Sequence, residues 1–187
     1  MGMSLPHADW TVEMLNALPN DGNRYEVIDG ELWVTPAPSL VHQRAQMQLA
    51  MLIAPHAEAL GLDALTAPAA ITFSQAREVQ PDLIVLPRRT DGKRATRFAD
   101  VGRLLLAVEI LSPSTARVDR REKRVLYQQE RVPEYWIVNV DARVFERWTP
   151  DNITPEICSQ TISWRPLIAH DALEVDLRKY FRELSDE

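Results

Sequence analysis

The sequence predicts an α/β (α+β) fold in which a mixed central β-sheet carries flanking helices, with an N-terminal β-hairpin and a C-terminal β extension. Three observations support this prediction. An Asp-Gly pair joins two short alternating segments near the N-terminus, a long helical pattern follows them, and three apolar strand-like runs come next. The predicted order is hairpin, helix, three strands, helix and two strands, followed by a mixed C-terminal third.

Two strands and a turn are predicted near the N-terminus. Asp29-Gly30 predicts a type I′ turn between the strands Arg24–Ile28 and Glu31–Thr35, because both segments alternate around it. A short helical pattern near Trp10–Leu18 precedes this hairpin.

A long helix is expected after the hairpin. Apolar residues at helical spacing predict it over Val41–Leu60, with Ser39 as its N-cap. We expect Pro55 to kink or locally break this helix and Gly61 to end it.

The remaining elements follow from apolar runs and capping signals. Asp119-x-x-Glu122 resembles a capping box, which predicts a helix that opens or is reinforced there and continues to about Glu130. The other predictions are strands at about Leu65–Phe73, Val79–Leu86, Leu104–Leu111, Glu134–Val140 and Arg143–Trp148, and a final helix near Leu177–Leu184.

The length and composition indicate one domain. The chain has 187 residues, of which 45% are hydrophobic and 26% are charged, and a domain usually has ~100–200 residues. We expect a single domain over residues 1–187, with a core at about 24–148 and an extension at about 149–187. This composition excludes a disordered chain, a collagen and a coiled coil.

The sequence carries no signal for secretion or for a membrane span. No apolar run approaches the ~18–20 residues that cross a bilayer, and the first residues lack the basic and apolar regions of a signal peptide. The one cysteine, Cys158, permits no disulfide within the chain. We therefore expect a cytoplasmic protein with no membrane partner.

Charge is distributed unevenly along the chain. The net charge of −6 argues against nucleic acid as a partner. Residues 84–124, however, hold eleven basic and five acidic residues, so this segment is +6 and the remainder is −12. This asymmetry indicates either one electropositive surface or a set of separately solvated faces. The candidates for nucleic-acid contact here are Arg117, Arg120, Arg121 and Arg124.

Two carboxylates in apolar strands are the most informative feature. Asp82 begins one apolar run, and Glu109 lies near the end of the run Leu104–Leu111. Both runs are apolar on both faces, so both strands should be interior, where an ionised carboxylate needs a partner or a metal. If the strands pair antiparallel, Asp82 and Glu109 become neighbours at one edge of the sheet. Their repulsion then favours a bound Mg²⁺ or Mn²⁺.

A lysine on the following helix could complete such a site. Lys123 borders the apolar stripe of that helix, with Asp119 and Tyr127 on the same face, and can reach back toward the sheet edge. Two carboxylates, a metal and a lysine suit phosphodiester hydrolysis, because the metal activates water and the lysine orients it. The residues alone leave another interpretation open, in which Glu109 is a structural acid paired with Lys123 or an arginine, and Asp82 caps a strand end.

Three further residues are accessory candidates. Glu31 follows the Asp-Gly turn and, like Glu26, could supply another acid, although the residues alone favour a salt bridge or an exposed strand face for either. His42 opens the long helix and could point into the site. Gln80 shares a strand face with Asp82 and could contact substrate.

These residues resemble a known pattern. Pro81-Asp82, followed by Glu109-x-Leu111 at the end of an apolar strand, on an α-β-β-β-α-β core, resembles the PD-(D/E)XK nuclease superfamily. Within it, the chain resembles the bacterial family of putative restriction endonucleases. The stretches that carry this resemblance are RYEVIDGELWVTPAPSLVHQ, VQPDLIVL, VEILSPSTARVDRREKRVLY and VPEYWIVNVDAR, which together span residues 24–143.

The resemblance implies a restriction-endonuclease-like core and metal-dependent cleavage of DNA. It makes Asp82 and Glu109 the metal-binding acids, with the backbone carbonyl of Ile110 as a further ligand of Mg²⁺ or Mn²⁺. The superfamily pattern places a lysine two residues after the glutamate, where this chain has Leu111. The resemblance therefore makes Lys123 the substitute.

Three functions remain open at this point. The first is a metal-dependent endonuclease that hydrolyses DNA, which would most simply cut both strands as a homodimer. The second is a catalytically inactive nucleic-acid-binding relative. The third is a non-nucleic-acid interaction module on the same fold, whose acids form internal salt bridges. The reach of Lys123 toward Asp82 and Glu109 distinguishes the first function from the second.

Overall fold

The fold contains three β-sheets, as a computed structural model describes for residues 3–4 and 9–184. The strands are β1 (Met3–Ser4), β2 (Arg24–Ile28), β3 (Glu31–Thr35), β4 (Leu62–Thr66), β5 (Ile71–Ser74), β6 (Arg77–Val79), β7 (Leu83–Pro87), β8 (Leu106–Ile110), β9 (Glu134–Asn139), β10 (Val144–Trp148), β11 (Glu156–Cys158), β12 (Thr161–Trp164) and β13 (Leu173–Asp176). The helices are α1 (Val12–Asn16), α2 (Leu40–Ala59), α3 (Ala116–Val118), α4 (Arg124–Gln129) and α5 (Leu177–Leu184), with a 3₁₀ helix at Phe98–Asp100 and a π-helical turn, Asp119–Lys123, that joins α3 to α4.

The central sheet has six strands in the order β11-β10-β9-β8-β7-β4. β8 and β9 run parallel and the other neighbours antiparallel, so the sheet is mixed, as the sequence predicts. β7 is wholly apolar and β8 is apolar except for Glu109, because both faces of the sheet are covered at these strands. Leu83 and Val85 pack in one core with α2 and α5, whereas Ile84 and Leu86 pack on the opposite face with α3, α4 and the N-terminal sheet.

The N-terminal hairpin has the predicted bounds, with Ile28 opposite Glu31. Asp29 and Gly30 have φ angles of 51° and 81°. These left-handed values at both central positions are what a type I′ turn requires. The hairpin belongs to a five-stranded sheet in the order β1-β3-β2-β6-β5, in which β6 pairs with β2.

Helix α2 begins at the predicted cap, because Ser39 Oγ accepts a hydrogen bond from His42 N at 3.2 Å. The helix continues through Pro55 to Ala59, so the expected break does not occur. Pro55 lies on the exposed side, where water can replace the missing backbone donor. Gly61 follows the helix with a φ of 70° and ends it, as predicted.

Neither α2 nor any other helix in the described part of the chain is long and apolar enough to cross a membrane.

Two of the predicted strands are wrong in extent. Residues 65–73 do not form one strand, because β4 lies in the central sheet and β5 lies in the five-stranded sheet. Residues 79–86 are divided in the same way between β6 and β7. An apolar run predicts a strand, but the sheet that the strand joins depends on partners distant in sequence.

The helix that carries Lys123 begins before the predicted capping box. α3 starts at Ala116, after a turn in which Thr115 N donates to Ser112 Oγ at 3.3 Å. Asp119 N donates to Thr115 O at 3.0 Å, so Asp119 lies inside the helix. The capping-box prediction is therefore wrong, because the hydroxyl-bearing turn at residues 112–115 already starts the helix.

The C-terminal segment packs into the core of the central sheet. β11 pairs with β10 at the edge of that sheet. α5 packs on α2, and Tyr180 Oη donates to Ala45 O at 2.8 Å. Trp164 on β12 is buried in the same core. The predicted β extension thus supplies an edge strand and a covering helix.

Candidate functional site

Asp82 and Glu109 are neighbours at one end of the central sheet. β7 and β8 pair antiparallel with Leu83 opposite Val108, so the residue before β7 lies beside the end of β8, as the sequence predicts. Asp82 Oδ2 accepts a hydrogen bond from Ile110 N at 2.8 Å. Only 2% of Asp82 and 3% of Glu109 is exposed, so each carboxylate needs a compensating partner.

Asp82 is held in its ionised form. Arg24 Nη1 lies 3.1 Å from Asp82 Oδ1, and His42 Nε2 lies 3.0 Å from Oδ2. Burial raises the pKa of the Asp82 carboxyl, but the hydrogen bond and charge of His42, with the charge of Arg24, outweigh it and leave the pKa below its usual value. Gln46 Nε2 donates to the Asp82 carbonyl at 2.6 Å and fixes the backbone there.

Lys123 reaches the carboxylates from the opposite face of the sheet edge. Its Nζ lies 2.9 Å from Glu109 Oε1, 2.9 Å from Glu26 Oε1 and 3.8 Å from Asp119 Oδ1. Burial lowers the pKa of Lys123, but the three acids outweigh it and raise the pKa above its usual value. Lys123 is therefore an ammonium ion at physiological pH and acts as a donor, not as a base.

The π-helical turn brings Lys123 to this position. A π turn places more residues in each turn than an α-helix does. Asp119, Lys123 and Tyr127 follow one another at intervals of four residues, and all three are buried. In a regular α-helix with 3.6 residues per turn, side chains four residues apart rotate progressively around the helix axis. The π-helical turn has more residues per turn, so Asp119, Lys123 and Tyr127 all face the sheet. The Tyr127 hydroxyl donates to Glu109 Oε1 at 3.3 Å.

Glu26, rather than Glu31, joins the site. Glu26 lies on β2, and its Oε1 accepts from Gln80 N at 2.6 Å while it contacts Lys123. Glu31 is exposed at the turn end of the hairpin, opposite Ile28, whereas the other end of the hairpin adjoins the site. The sequence leaves both Glu26 and Glu31 as candidate accessory acids. The structure distinguishes them, because Glu26 lies on β2, the hairpin strand that pairs with β6.

The site cluster contains more acids than cations. Its acids are Glu26, Asp82, Glu109 and Asp119, and its cations are Arg24 and Lys123. Burial raises the pKa of Glu109 well above its usual value, and the neighbouring acids raise it further against the effect of Lys123. Burial likewise raises the pKa of Asp119 to about 7, although Lys123 opposes the shift. These four acids share two cations and His42, and the raised pKa values mean that part of their negative charge is taken up by protons, whose place a divalent cation could take.

An open cavity of about 400 Å³ lies over the site cluster. Both Asp82 and Glu109 line it, as do His42 and Lys123. Further lining comes from the segment that leads from β3 into α2 and from the Ser112–Thr115 turn. The buried acids can therefore be reached from solvent.

The remaining candidates lie outside this cavity. Gln80 Nε2 donates to Tyr25 O at 3.2 Å, and Gln80 lines a neighbouring cavity instead. Arg120 binds Glu146, with its Nε 2.8 Å from Glu146 Oε1. Arg124 lies over the Trp148 ring, 5.1 Å from its centroid. Arg117 and Arg121 are exposed on the same helix.

The match with a family model identifies the chain. A model of the family described as "Uma2: Putative restriction endonuclease" matches residues 12–178. The chain belongs to the Uma2 family. This match confirms the resemblance that the Asp82, Glu109 and Lys123 segments carry.

The Uma2 chain also resembles a solved structure. That structure is a crystal structure of "a putative nuclease belonging to DUF820" from Anabaena variabilis, with a TM-score of 0.72 and 20% sequence identity. The similarity covers 93% of this chain and 98% of the other. At this identity it shows a shared fold and confirms the mixed sheet with flanking helices. A comparison with curated proteins finds no match.

The donor set of the Uma2 site suits a hard divalent cation. Within residues 9–184, no group of three or more His, Cys, Asp or Glu side chains forms a ready-made metal cage. Mg²⁺, however, is usually held by one or two carboxylates, with water and substrate phosphate completing its shell. Leu111 N donates to Val138 O on β9, whereas Ile110 N bonds Asp82 on the other side. The Ile110 carbonyl therefore points to the same side as Asp82, since both polar groups of a strand residue share one direction.

Proposed function

We propose that this Uma2 chain is a metal-dependent endonuclease that hydrolyses DNA phosphodiester bonds. Asp82, Glu109 and the Ile110 carbonyl would hold Mg²⁺ or Mn²⁺. The observation that carries the proposal is the convergence of Asp82, Glu109 and Lys123 from three elements beneath one open cavity. The excess of buried acid over buried cation supports a divalent ion at this point.

The proposed chemistry assigns a role to each side chain. A bound metal would polarise the phosphate and activate a water molecule. Lys123, held between Glu26 and Glu109, would donate hydrogen bonds to that water or to a phosphate oxygen and offset the developing negative charge. Arg24 and His42 keep Asp82 ionised and oriented.

The position of Lys123 favours a nuclease over an inactive relative. A chain that only binds nucleic acid needs no ammonium beside the metal-binding acids. Lys123 Nζ lies 2.9 Å from Glu109 although the sequence has Leu111 at the superfamily lysine position. An interaction module would instead pair its buried acids with equal numbers of cations.

DNA and a second copy of the chain are the proposed partners. The exposed Arg117 and Arg121 are the arginines of the helix that remain available for phosphate contacts, whereas Arg120 and Arg124 are engaged within the chain. One site cuts one strand at a time, so a homodimer would most simply cut both strands. Size-exclusion chromatography with light scattering would test the homodimer by measuring the mass of the protein in solution. A monomer at the protein concentration used for cleavage would contradict it.

Metal binding and strand cleavage test the proposed function together. We expect calorimetry to detect Mn²⁺ and Mg²⁺ binding by the wild type and no binding by Asp82→Asn with Glu109→Gln. The wild type should nick plasmid DNA in the presence of either metal, and the double variant should be at least about 100-fold slower.

A buried acid outside the site provides the matched control. Glu134 is buried and binds Arg147 at 2.9 Å, so Glu134→Gln removes a comparable carboxylate elsewhere. This variant should keep metal binding and nicking. No metal binding by the wild type, or equal nicking by the double variant, would contradict the proposal.

A further inference from the structure

A second cavity adjoins the one over the site cluster. It has a volume of about 420 Å³ and, like the first cavity, is lined by Arg24 and the segment Pro36–Pro38. Arg24 Nη1 donates to Gln80 O at 2.8 Å and to Asp82 Oδ1 at 3.1 Å. One guanidinium group and one short segment therefore separate the second cavity from the candidate metal-binding acids.

The lining of the second cavity differs from that of the first. Four carboxamide side chains line it, together with prolines at three positions. The carboxamides are Asn20, Asn23, Gln43 and Gln80. Arg24 is the one charged side chain among the described residues of this lining, and its guanidinium is already bound to the protein. This chemistry is neutral and polar, with flat apolar faces, and is poorly suited to a phosphate group.

The carboxamides keep hydrogen-bonding capacity. Gln80 Nε2 donates to Tyr25 O at 3.2 Å, and Asn23 Nδ2 donates to Asp21 Oδ2 at 3.0 Å, which leaves the oxygen of each amide. The exposed side chains of Asn20 and Gln43 make no hydrogen bond to the described residues. Each of these two offers a donor beside an acceptor, the pattern that pairs with a nucleobase edge.

We propose that the second cavity binds one unstacked nucleobase of the nucleic acid whose phosphate lies over the site cluster. This inference rests on the proposed function, because it places the base next to the bond to be cut. Arg24 contacts both the Gln80 carbonyl and the Asp82 carboxylate, so a base in the second cavity would be separated by one side chain from a phosphate over the site cluster. The prolines supply faces against which the base packs, and the carboxamides read its edge.

Oligonucleotide binding tests this pocket without cleavage. Fluorescence anisotropy in Ca²⁺ would measure the Kd of single-stranded hexamers of dA, dC or dT and of an abasic hexamer of the same charge, with the strands checked for integrity afterwards. We expect the wild type to bind at least one base-bearing hexamer about fivefold or more tightly than the abasic one. Asn20→Ala with Gln43→Ala should reduce that ratio to less than about twofold.

A carboxamide outside both cavities is the matched control. Gln160 is exposed in the turn after β11, and Gln160→Ala should keep the wild-type ratio. The proposal is overturned if the wild type binds the abasic hexamer equally well, if it binds none of the hexamers, or if the double variant keeps the ratio. Plasmid nicking in Mn²⁺ is read separately. If the Kd depends on the base but the protein does not nick DNA, the proposed nuclease function is contradicted and the proposed base pocket is supported. If the protein nicks DNA but the Kd does not depend on the base, the nuclease function is supported and the base pocket is contradicted.

Discussion

The two ends of β7 carry charged clusters that differ in their access to water. The site cluster adjoins the first residue of the strand, and an outer cluster of two arginines and two acids adjoins the last. The outer cluster consists of Arg88, Arg94, Glu58 and Asp63. The Lys123 side chain is 3% exposed, whereas the side chains of Arg94 and Glu58 are 64% and 61% exposed. Water therefore compensates the charges of Arg94 and Glu58, although Asp63 beside them is 8% exposed, while the buried groups of the site cluster must compensate one another.

The comparison shows that burial, rather than the number of ion pairs, distinguishes the candidate site from the outer cluster. Ion pairs at short distances occur in both places, such as Lys123 with Glu109 at 2.9 Å and Arg94 with Glu58 at 3.0 Å. Only the pair of Lys123 and Glu109 belongs to a cluster in which acids outnumber cations, and that cluster lies beneath the site cavity. Four measurements would break or sharpen this contrast.

Removal of the Lys123 charge should have the largest effect. Lys123→Met keeps the length of the side chain but leaves Glu26, Glu109 and Asp119 without their ammonium partner. We expect the free energy of unfolding at pH 8 to fall by about 3–5 kcal/mol, the usual cost of breaking a buried pair from one side. Urea denaturation followed by circular dichroism measures this change.

The same variant at lower pH provides a control. At pH 5 the buried acids bind protons more readily, because the pKa values of Glu109 and Asp119 are raised, so the loss should be smaller. A loss below ~1 kcal/mol at pH 8 would mean that the buried charges do not depend on one another.

The pH dependence of stability should reveal Asp119. Its folded pKa of about 7 lies above the ordinary 3.8, so its contribution to stability is complete below pH 3.8 and is lost as the pH rises through 7. We expect the wild type to lose about 1–3 kcal/mol relative to Asp119→Asn between pH 5 and pH 8. Denaturation curves of both proteins at the two pH values measure this difference. If the free energy of unfolding changed by the same amount in both proteins, the raised pKa of Asp119 would be excluded.

A half-buried carboxylate outside both clusters supplies the opposite sign. Hydrogen bonds from Thr96 and Arg97 lower the pKa of Asp100 to about 2. Its contribution is therefore present above pH 3.8 and is lost as the pH falls toward 2. Asp100→Asn should lose stability relative to the wild type at pH 6 and approach it at pH 2, which separates Asp100 from Asp119.

The smallest effect is expected in the outer cluster. Arg94→Met removes the partner of Glu58 and Asp63, but water reaches both side chains of the main pair. The free energy of unfolding should fall by ~0–1 kcal/mol, and 0.5 M salt should remove most of the difference. If Arg94→Met cost as much as Lys123→Met, the contrast between the two ends of β7 would be wrong.

The sequence predicts the backbone of the site because its signals are local. The Asp29-Gly30 turn, the Ser39 cap and the apolar runs around Asp82 and Glu109 each act within a few residues. The sequence predicts that Asp82 and Glu109 are neighbours only if the two strands pair antiparallel, and the structure shows that β7 and β8 do so.

The remainder of the site depends on contacts that no local pattern encodes. The π turn at Asp119–Lys123 buries both of its end residues, and the Asp-x-x-Glu spacing within it resembles a helix start. The choice of Glu26 over Glu31 depends on which hairpin strand pairs with β6, because β2, which carries Glu26, lies between β3 and β6. The separate engagement of Arg120 with Glu146 likewise requires a partner 26 residues away in the chain.

The sequence positions of the site cluster also set the time at which it can form. A chain emerging from the ribosome exposes Glu26 first and Lys123 only after nearly a hundred further residues have been synthesised. Contacts between residues so far apart form late in folding. In a nascent or partly unfolded chain, the acids of the site cluster are therefore not close together and the site is not formed. If the chain cuts DNA, its hydrolytic capacity is confined to the finished molecule, and partial unfolding abolishes it without any dedicated inhibitor.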